Sequence, residues 1–142
     1  MSYHVNIWST TSPHHFVSPF PNNEYVLILI ITDSDIPVEK RQLIARDIVH
    51  SRCRYALTYG HECSLWHDLI DMAYLDADLP DEKFLMTTWH DDEPIEDVVD
   101  FMWWNTSFDY YDPEYFGILF LRAEGVSPCI LAGMTVLQVC KD

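Results

Sequence analysis

The fold is decided by Tyr25-Val26-Leu27-Ile28-Leu29-Ile30-Ile31-Thr32, seven successive apolar residues followed by a threonine. Polar residues do not alternate with the apolar ones, and this pattern is typical of a strand covered on both faces, as in the middle of a parallel sheet. Asn22-Asn23 precedes the run and Asp33-Ser34-Asp35 follows it. A run this short between turn-forming residues favours a strand over a helix.

Strands and helices alternate around this central strand. Further strands are predicted at residues 3–8 (a short edge strand), 54–58, 83–89, 116–121 and, less regularly, 130–139. The spacing of apolar residues and the start signals predict helices at 37–51, 64–76 and 94–102. This alternation predicts a single α/β domain over residues 1–142, with three layers and a mostly parallel sheet of four or five strands. Residues 1–23 would form its edge strand and a loop, 24–121 its core, and 122–142 a C-terminal strand or tail.

The expected strand order determines where the helices lie. With the core strands at 25–32, 54–58, 83–89 and 116–121 numbered 1 to 4, we expect the order 2-1-3-4. Right-handed crossovers then place the first helix on one face of the sheet and the second and third helices side by side on the other. The acidic residues of these two helices would form one broad plate, made of Asp68, Asp71, Glu96, Asp97 and Asp100.

Most of the negative charge is concentrated in the middle of the chain. The formal net charge is −15, and residues 62–115 contain sixteen acids with Lys83 as their one base. Residues 1–61 contain five acids and five bases, and residues 116–142 contain two of each. Such a surface repels nucleic acid and anionic membranes and attracts cationic proteins. The sequence also lacks a signal-peptide pattern and an apolar run of the roughly 20 residues that span a membrane, so we expect a cytoplasmic protein.

Four segments of the sequence form a recognisable pattern: Cys53-Arg-Tyr-Ala56, Tyr59-Gly60, Trp66-His-Asp68 and Phe84-Leu-Met-Thr-Thr-Trp-His-Asp-Asp-Glu-Pro94. With them the chain resembles a small bacterial domain family of uncharacterised function, over about residues 25–121. The run Met-Thr-Thr-Trp-His-x-Asp-Glu-Pro is the most specific part of the likeness. The resemblance implies a bacterial or phage origin and a single domain, and it implies no particular activity.

Polar residues follow three of the predicted strands, where an α/β sheet commonly binds its ligands. The side chains that would meet at this edge are Asp33, Asp35, His61, His90 and Asp92. Histidines and carboxylates together could bind a divalent metal and activate water, which would make the protein a metal-dependent hydrolase. The other interpretation is that the acids cap helices or lie in first turns, where negative charge is favourable in any case.

Other reactive patterns in the sequence are weaker. Aspartate-based phosphoryl transfer would need a lysine near the phosphate, and Lys83 lies at the wrong end of its strand. Cys63 and His67 are spaced i, i+4, but no third group is evident to orient them as a nucleophile pair. The four cysteines form no C-x-x-C pair, and a chain of this length needs no disulfides, so we expect free thiols and no cofactor.

The loop at 105–115 is rich in tyrosine and aspartate. Rigid aromatic side chains surrounded by charge have the composition of a protein-binding hot spot, and on this interpretation the loop adds Asp109, Tyr110, Tyr111 and Asp112 to the candidate partner-binding residues. The other interpretation is a loop whose aromatic side chains are merely packed. The leading hypothesis is a non-enzymatic, acidic protein-binding module, most concretely an immunity- or antitoxin-type inhibitor of a basic partner such as a toxin nuclease. The metal-dependent hydrolase is the alternative. A DNA mimic that sequesters a nucleic-acid-binding protein would use the same acidic surface.

Overall fold

A computed structural model describes residues 3–108 and 111–125. These residues form an α/β structure whose five strands are β1 (His4–Thr10), β2 (Tyr25–Ile31), β3 (Cys53–Gly60), β4 (Met86–His90) and β5 (Tyr115–Leu121). The helices are α1 (Val38–Val49), α2 (Cys63–Ala77) and α3 (Ile95–Trp104), and a short 3₁₀ turn lies at Asp81–Lys83. The predicted α/β class and the N-terminal edge strand are confirmed. The strand predicted at 130–139 lies outside the described residues.

The five strands form one parallel sheet in the order β1-β5-β2-β3-β4. The central strand is β2, and every one of its residues is buried. Its side chains alternate between two hydrophobic clusters, with Tyr25, Leu27, Leu29 and Ile31 on one face and Val26, Ile28 and Ile30 on the other. The continuous apolar run therefore has the role predicted for it, because a strand covered on both faces needs apolar side chains on both.

The expected strand order is wrong. In the numbering of the predicted core strands, the observed order is 4-1-2-3 rather than 2-1-3-4, because β5 lies beside β2 and β4 lies at the edge. The physical reason is visible in the two strands. β5 is Tyr-Phe-Gly-Ile-Leu-Phe-Leu and is almost entirely buried, whereas β4 is Met-Thr-Thr-Trp-His and buries only its last residue. A strand with polar side chains suits the edge, and an apolar one suits the interior.

The strand order places the helices on faces other than those expected. The connections through α1 and α2 both step outward towards β4, so right-handed crossovers put these two helices on the same face. The connection through α3 steps back from β4 to β5 and crosses the opposite face. Accordingly, Ile48 of α1 and Trp66 of α2 share one buried cluster with Leu27, whereas Met102 of α3 lies in the cluster on the other side.

This arrangement corrects the prediction of one acidic plate. Asp68 and Asp71 belong to α2, and Glu96, Asp97 and Asp100 belong to α3, so the two groups lie on opposite sides of the sheet. The charged residues of α1, among them Lys40, Arg41 and Arg46, lie on the same face as the acids of α2 and on the face opposite the acids of α3. Within residues 3–108 and 111–125, none of the helices is long and apolar enough to cross a membrane.

Candidate functional site

The acidic middle of the chain surrounds the β4 edge of the sheet. α2 leads into β4 on one face, and α3 leaves β4 across the other face. The acids that precede β4 include Asp81 and Glu82 in the 3₁₀ turn, and Asp91 and Asp92 follow its last residue. All four of these side chains are exposed. The carboxylates therefore flank one edge of the sheet instead of covering one face.

A groove of about 330 Å³ runs between α2 and β4. Its apolar lining comes from Tyr74 and Leu75 of α2 and from Phe84, Leu85 and Met86 at the start of β4. Leu75 is 73% exposed, and Phe84 and Met86 are each 36% exposed. Large apolar side chains that remain accessible in a contiguous groove are typical of a binding surface rather than of an ordinary solvent-facing surface.

The polar side of this groove is organised by His67 on α2. Its Nδ1 lies 3.0 Å from Asp68 Oδ1, and its Nε2 lies 3.5 Å from Asp71 Oδ2. Asp71 Oδ1 also accepts a hydrogen bond from the Thr87 hydroxyl on β4, which joins the helix to the strand. The ring of Trp89 packs edge-on against the His67 ring, with the two centroids 4.7 Å apart. The predicted site residues Asp68 and Asp71 thus lie beside an exposed tryptophan.

The other predicted acids lie at the start of α3. Glu96 and Asp97 occupy the first turn, where they also interact favourably with the helix dipole. Asp100 is exposed one turn further along. Burial raises the pKa of Tyr59, and the negative charges of Glu96 and Glu93 raise it further. This region therefore has a negative potential strong enough to affect a neighbouring titratable group.

The structure describes only part of the predicted Tyr/Asp site in the 105–115 loop. Asp109 and Tyr110 lie outside the described residues, and Asp112 is exposed. Tyr111 packs inward: the Arg54 guanidinium carbon lies 5.2 Å from its ring centroid and 5.4 Å from that of Phe108. The hydroxyl of Tyr111 is buried and has no hydrogen-bond partner among the described residues. Burial raises the pKa of this hydroxyl, so it stays neutral.

Arg54 is held in this cluster by two hydrogen bonds. Its Nε donates to the Phe84 carbonyl at 2.7 Å, and its Nη1 donates to Glu24 Oε2 at 2.6 Å. Together with Tyr111 these groups line a cleft of about 500 Å³ whose rim carries Asp81 and Glu82. Since Arg54 lies over both aromatic rings, the cluster holds Phe108 and Tyr111 in place.

The strand-end residues predicted as metal ligands have separate contacts rather than one shared site. Asp33 is buried, and its Oδ2 lies 2.8 Å from His14 Nε2, while the other ring nitrogen of His14 lies 2.9 Å from the Thr10 hydroxyl. Burial works against ionisation of Asp33, but the hydrogen bonds from His14 and from the Asp35 backbone N–H outweigh it and lower the pKa of the carboxyl. Asp33 therefore joins the loop after β1 to the end of β2.

The remaining members of that set have other contacts. His90 is buried against Phe101, with Nε2 2.8 Å from the Thr88 hydroxyl and Nδ1 3.2 Å from Glu93 Oε1. The His61 Nε2 lies 3.0 Å from Glu62 Oε1. The side chains of Asp35 and Asp92, the other two predicted metal ligands, are exposed. Across residues 3–108 and 111–125, no three histidine, cysteine or acidic side chains are grouped so that they could hold a metal ion.

The pair Cys63 and His67 does not have the geometry of an activated nucleophile. The Cys63 thiol donates to the His90 carbonyl at 3.6 Å rather than to His67. Burial raises the pKa of the thiol, and the negative charge of Asp91 raises it further. A thiol with a raised pKa is a poor nucleophile at neutral pH.

Two structural features were missed in the sequence. One is the exposed apolar set beside β4, above all Trp89, which is 52% exposed although it ends a predicted strand. The polar pair Thr87-Thr88 was the available signal, because it argues for an edge strand with an accessible side. The other is His14, whose loop position in a proline-rich segment gave no indication of a buried partner.

The parallel sheet with helices on both faces defines a three-layer α/β structure. A family model matches residues 5–131, and the chain belongs to that family, which is described as a domain of unknown function, DUF7684. The resemblance to a family of uncharacterised function is confirmed by this match. Comparison with curated proteins finds no match. Comparison with solved structures finds none either.

Proposed function

We propose that this protein is a non-enzymatic binding module that engages a basic protein partner through its acidic surface, in the manner of an immunity- or antitoxin-type inhibitor of a toxin nuclease. The observation that carries the proposal is the charge around β4 and along α3. Residues 62–115 contain sixteen acids and one lysine, and the acids named on α3 and after β4 are exposed with the single exception of Glu93.

Negative charge would affect both the rate at which a basic partner associates and the contacts in the complex. A net charge of −15 creates a long-range field that steers a cationic partner towards the surface and accelerates association. A nuclease presents basic side chains where it holds phosphates, and carboxylates of an inhibitor can occupy the same positions. The same field disfavours nucleic acid and anionic membranes as direct partners.

The test uses two double variants with the same change in net charge. Asp97→Lys with Asp100→Lys alters two exposed acids of α3, and Glu39→Lys with Asp47→Lys alters two exposed acids of α1. Each protein encoded beside this chain's gene is expressed alone and together with wild type or either variant, and bacterial growth is measured. We expect one neighbouring protein to arrest growth, wild type and the α1 variant to restore it, and the α3 variant to restore it poorly.

The purified proteins extend the same test. We expect the α3 variant to associate about tenfold more slowly with the neutralised protein at low salt, and the α1 variant to remain within about twofold of wild type. Far-ultraviolet circular dichroism checks that both variants fold. Equal association of a folded α3 variant would remove α3 from the binding surface. Absence of any neutralised neighbouring protein would overturn the inhibitor proposal.

A further inference from the structure

The outer edge of β4 has the features of a strand that can accept another strand. β4 is the last strand of the sheet formed by the described residues and pairs with β3 on one side only. In an edge strand, every second residue directs its backbone N–H and C=O away from the sheet. Proteins usually protect such an edge with lysine, proline or a bulge. The sequence Met86-Thr-Thr-Trp-His90 contains neither lysine nor proline, and its pairing with β3 has no bulge.

The surface next to this edge combines exposed apolar side chains with polar ones. Trp89 and Thr87 point to the α2 face of the sheet, as their contacts with His67 and Asp71 show. The groove between α2 and β4 continues this surface through exposed Leu75. A strand added to β4 would therefore place alternate side chains against Trp89 and the groove, which is the pattern in which strand addition acquires specificity.

The charges around the edge determine which kind of segment fits. Exposed carboxylates lie on α2, in the 3₁₀ turn and after β4, at Asp68, Asp81, Glu82, Asp91 and Asp92, and Lys83 is the one base between residues 62 and 115. A second copy of this chain would bring the same carboxylates against one another. Like charges facing each other disfavour that pairing, whereas a basic segment is attracted.

We infer that the β4 edge and the groove beside it bind an extended segment of a partner protein, in which basic and apolar side chains alternate, as an additional strand. The inference rests on the proposed function, since it identifies the segment through which a basic partner is held. The apolar side chains of the segment enter the groove beside Trp89 on the α2 face, and its basic side chains, which point to the other face, are attracted by the carboxylates before and after β4. The acids of α3 accelerate encounter, and the β4 edge determines how long the complex lasts.

The first experiment uses a synthetic probe. An eight-residue peptide of alternating lysine and valine, with blocked ends, is added to the isotopically labelled full chain, and amide hydrogen exchange is followed by NMR. We expect the outward-facing amides within Met86–His90 to exchange about tenfold more slowly when the peptide is bound. A peptide of alternating glutamate and valine, and an N-methylated lysine–valine peptide, should give no protection.

Two tryptophan variants provide the matched comparison. Trp89→Lys places a positive charge at the β4 edge, and Trp104→Lys makes the same chemical change at the end of α3, where the tryptophan is 81% exposed. Both side chains are largely solvent-accessible, so both variants should fold. We expect Trp89→Lys to abolish the protection by the peptide and to accelerate dissociation of a neutralised partner by about tenfold, with Trp104→Lys close to wild type.

Several outcomes would overturn the inference. One is equal protection by the glutamate peptide, and another is protection at His4–Thr10 instead of Met86–His90. Slow exchange of the β4 amides in the free protein would mean that another segment of the chain already covers the edge. Sedimentation velocity showing a dimer that Trp89→Lys dissociates would identify a second copy as the occupant.

The two proposals fail in different ways. If the α3 variant loses neutralisation but the lysine–valine peptide gives no protection at β4, the acidic binding function stands and the strand-addition site is wrong. If the peptide protects β4 but no neighbouring protein is neutralised, the edge site stands and the inhibitor function is rejected.

Discussion

The two edges of the sheet are built differently. β1 pairs with β5 along all seven of its residues, and its Trp8 ring lies over Gly117, a position with no side chain. The His4 ring stacks on Tyr115, with the centroids 4.6 Å apart. β4 pairs with β3 along five residues and leaves Trp89 half exposed. One edge is fastened to the rest of the structure by side-chain packing, and the other leaves a large aromatic side chain accessible to solvent.

The difference shows that an edge strand can be structural or available for binding, depending on what surrounds it. Thr10, at the end of β1, contacts the buried His14, which contacts Asp33 at the end of β2. This chain of hydrogen bonds passes across β5 and holds the loop after β1. At the corresponding end of β4, His90 is buried, but the residues that follow it, Asp91 and Asp92, are exposed.

Among the variants at the two edges, the largest expected loss of stability comes from breaking the β1 edge at Asp33. Asp33→Ala leaves His14 buried without its partner, and we expect the free energy of unfolding to fall by about 1.5–3 kcal/mol, the range for hydrogen bonds to charged groups. Urea denaturation measures this loss, and hydrogen exchange should accelerate in β1 before β4. A change below about 0.5 kcal/mol would mean that the hydrogen-bond chain does not hold the β1 edge.

The ionisation of Asp33 should make the free energy of unfolding depend on pH. The pKa of Asp33 is lowered in the folded protein, so its ionised form stabilises the fold. That contribution is fully present above the ordinary carboxyl pKa and is lost as the pH falls below about 4 towards the lower folded-state pKa. Stability of wild type should therefore decline more steeply on acidification than that of Asp33→Asn, and parallel declines would contradict this.

A smaller loss of stability is expected when a side chain is added at Gly117, where β1 packs on β5. A Cβ at Gly117 would lie 3.1 Å from Trp8 Cζ3 and 3.2 Å from Pro19 Cγ. Gly117→Ala should destabilise the protein by about 1 kcal/mol, because the overpacking outweighs the entropic gain from replacing glycine. The cost should diminish in a Trp8→Leu background, where the ring is absent. An equal cost in both backgrounds would place the strain elsewhere.

The smallest effect on stability is expected at the β4 edge. Trp89→Ala removes a half-exposed side chain whose ring contacts His67, so the free energy of unfolding should change by no more than about 1 kcal/mol. Trp66→Ala, which empties a fully buried site on α2, should cost about 3–5 kcal/mol in the same assay. A loss at Trp89 as large as that at Trp66 would show that this edge is structural as well.

Local patterns predicted the elements well. The seven-residue apolar run was correctly read as a central strand, and the edge strand near the N-terminus was also predicted. Strand order was not, since either order is compatible with the same local periodicity. The choice depends on which strands can be covered on both faces, and β5 rather than β4 has the apolar side chains for that.

The arrangement of the candidate site was predicted only in part for the same reason. Asp68 and Asp71 were predicted as binding residues, which stays a prediction, and the structure places them beside an exposed apolar groove. Their association with the acids of α3 on one face was wrong, because it depended on the strand order. Tyr111 was predicted as a partner-binding residue, and this stays a prediction; its ring packs on Arg54, a contact between residues 57 positions apart in sequence.

The amino-acid sequence by itself determined the class of fold, the central strand and the concentration of acid in residues 62–115, because periodicity and charge are properties of the chain that folding does not alter. The tertiary structure decided which strands form the edges, which helices share a face and where the carboxylates are displayed. Those features depend on contacts between distant segments. A five-residue strand with a half-exposed tryptophan lies at the edge of the sheet because β5 has taken the interior position.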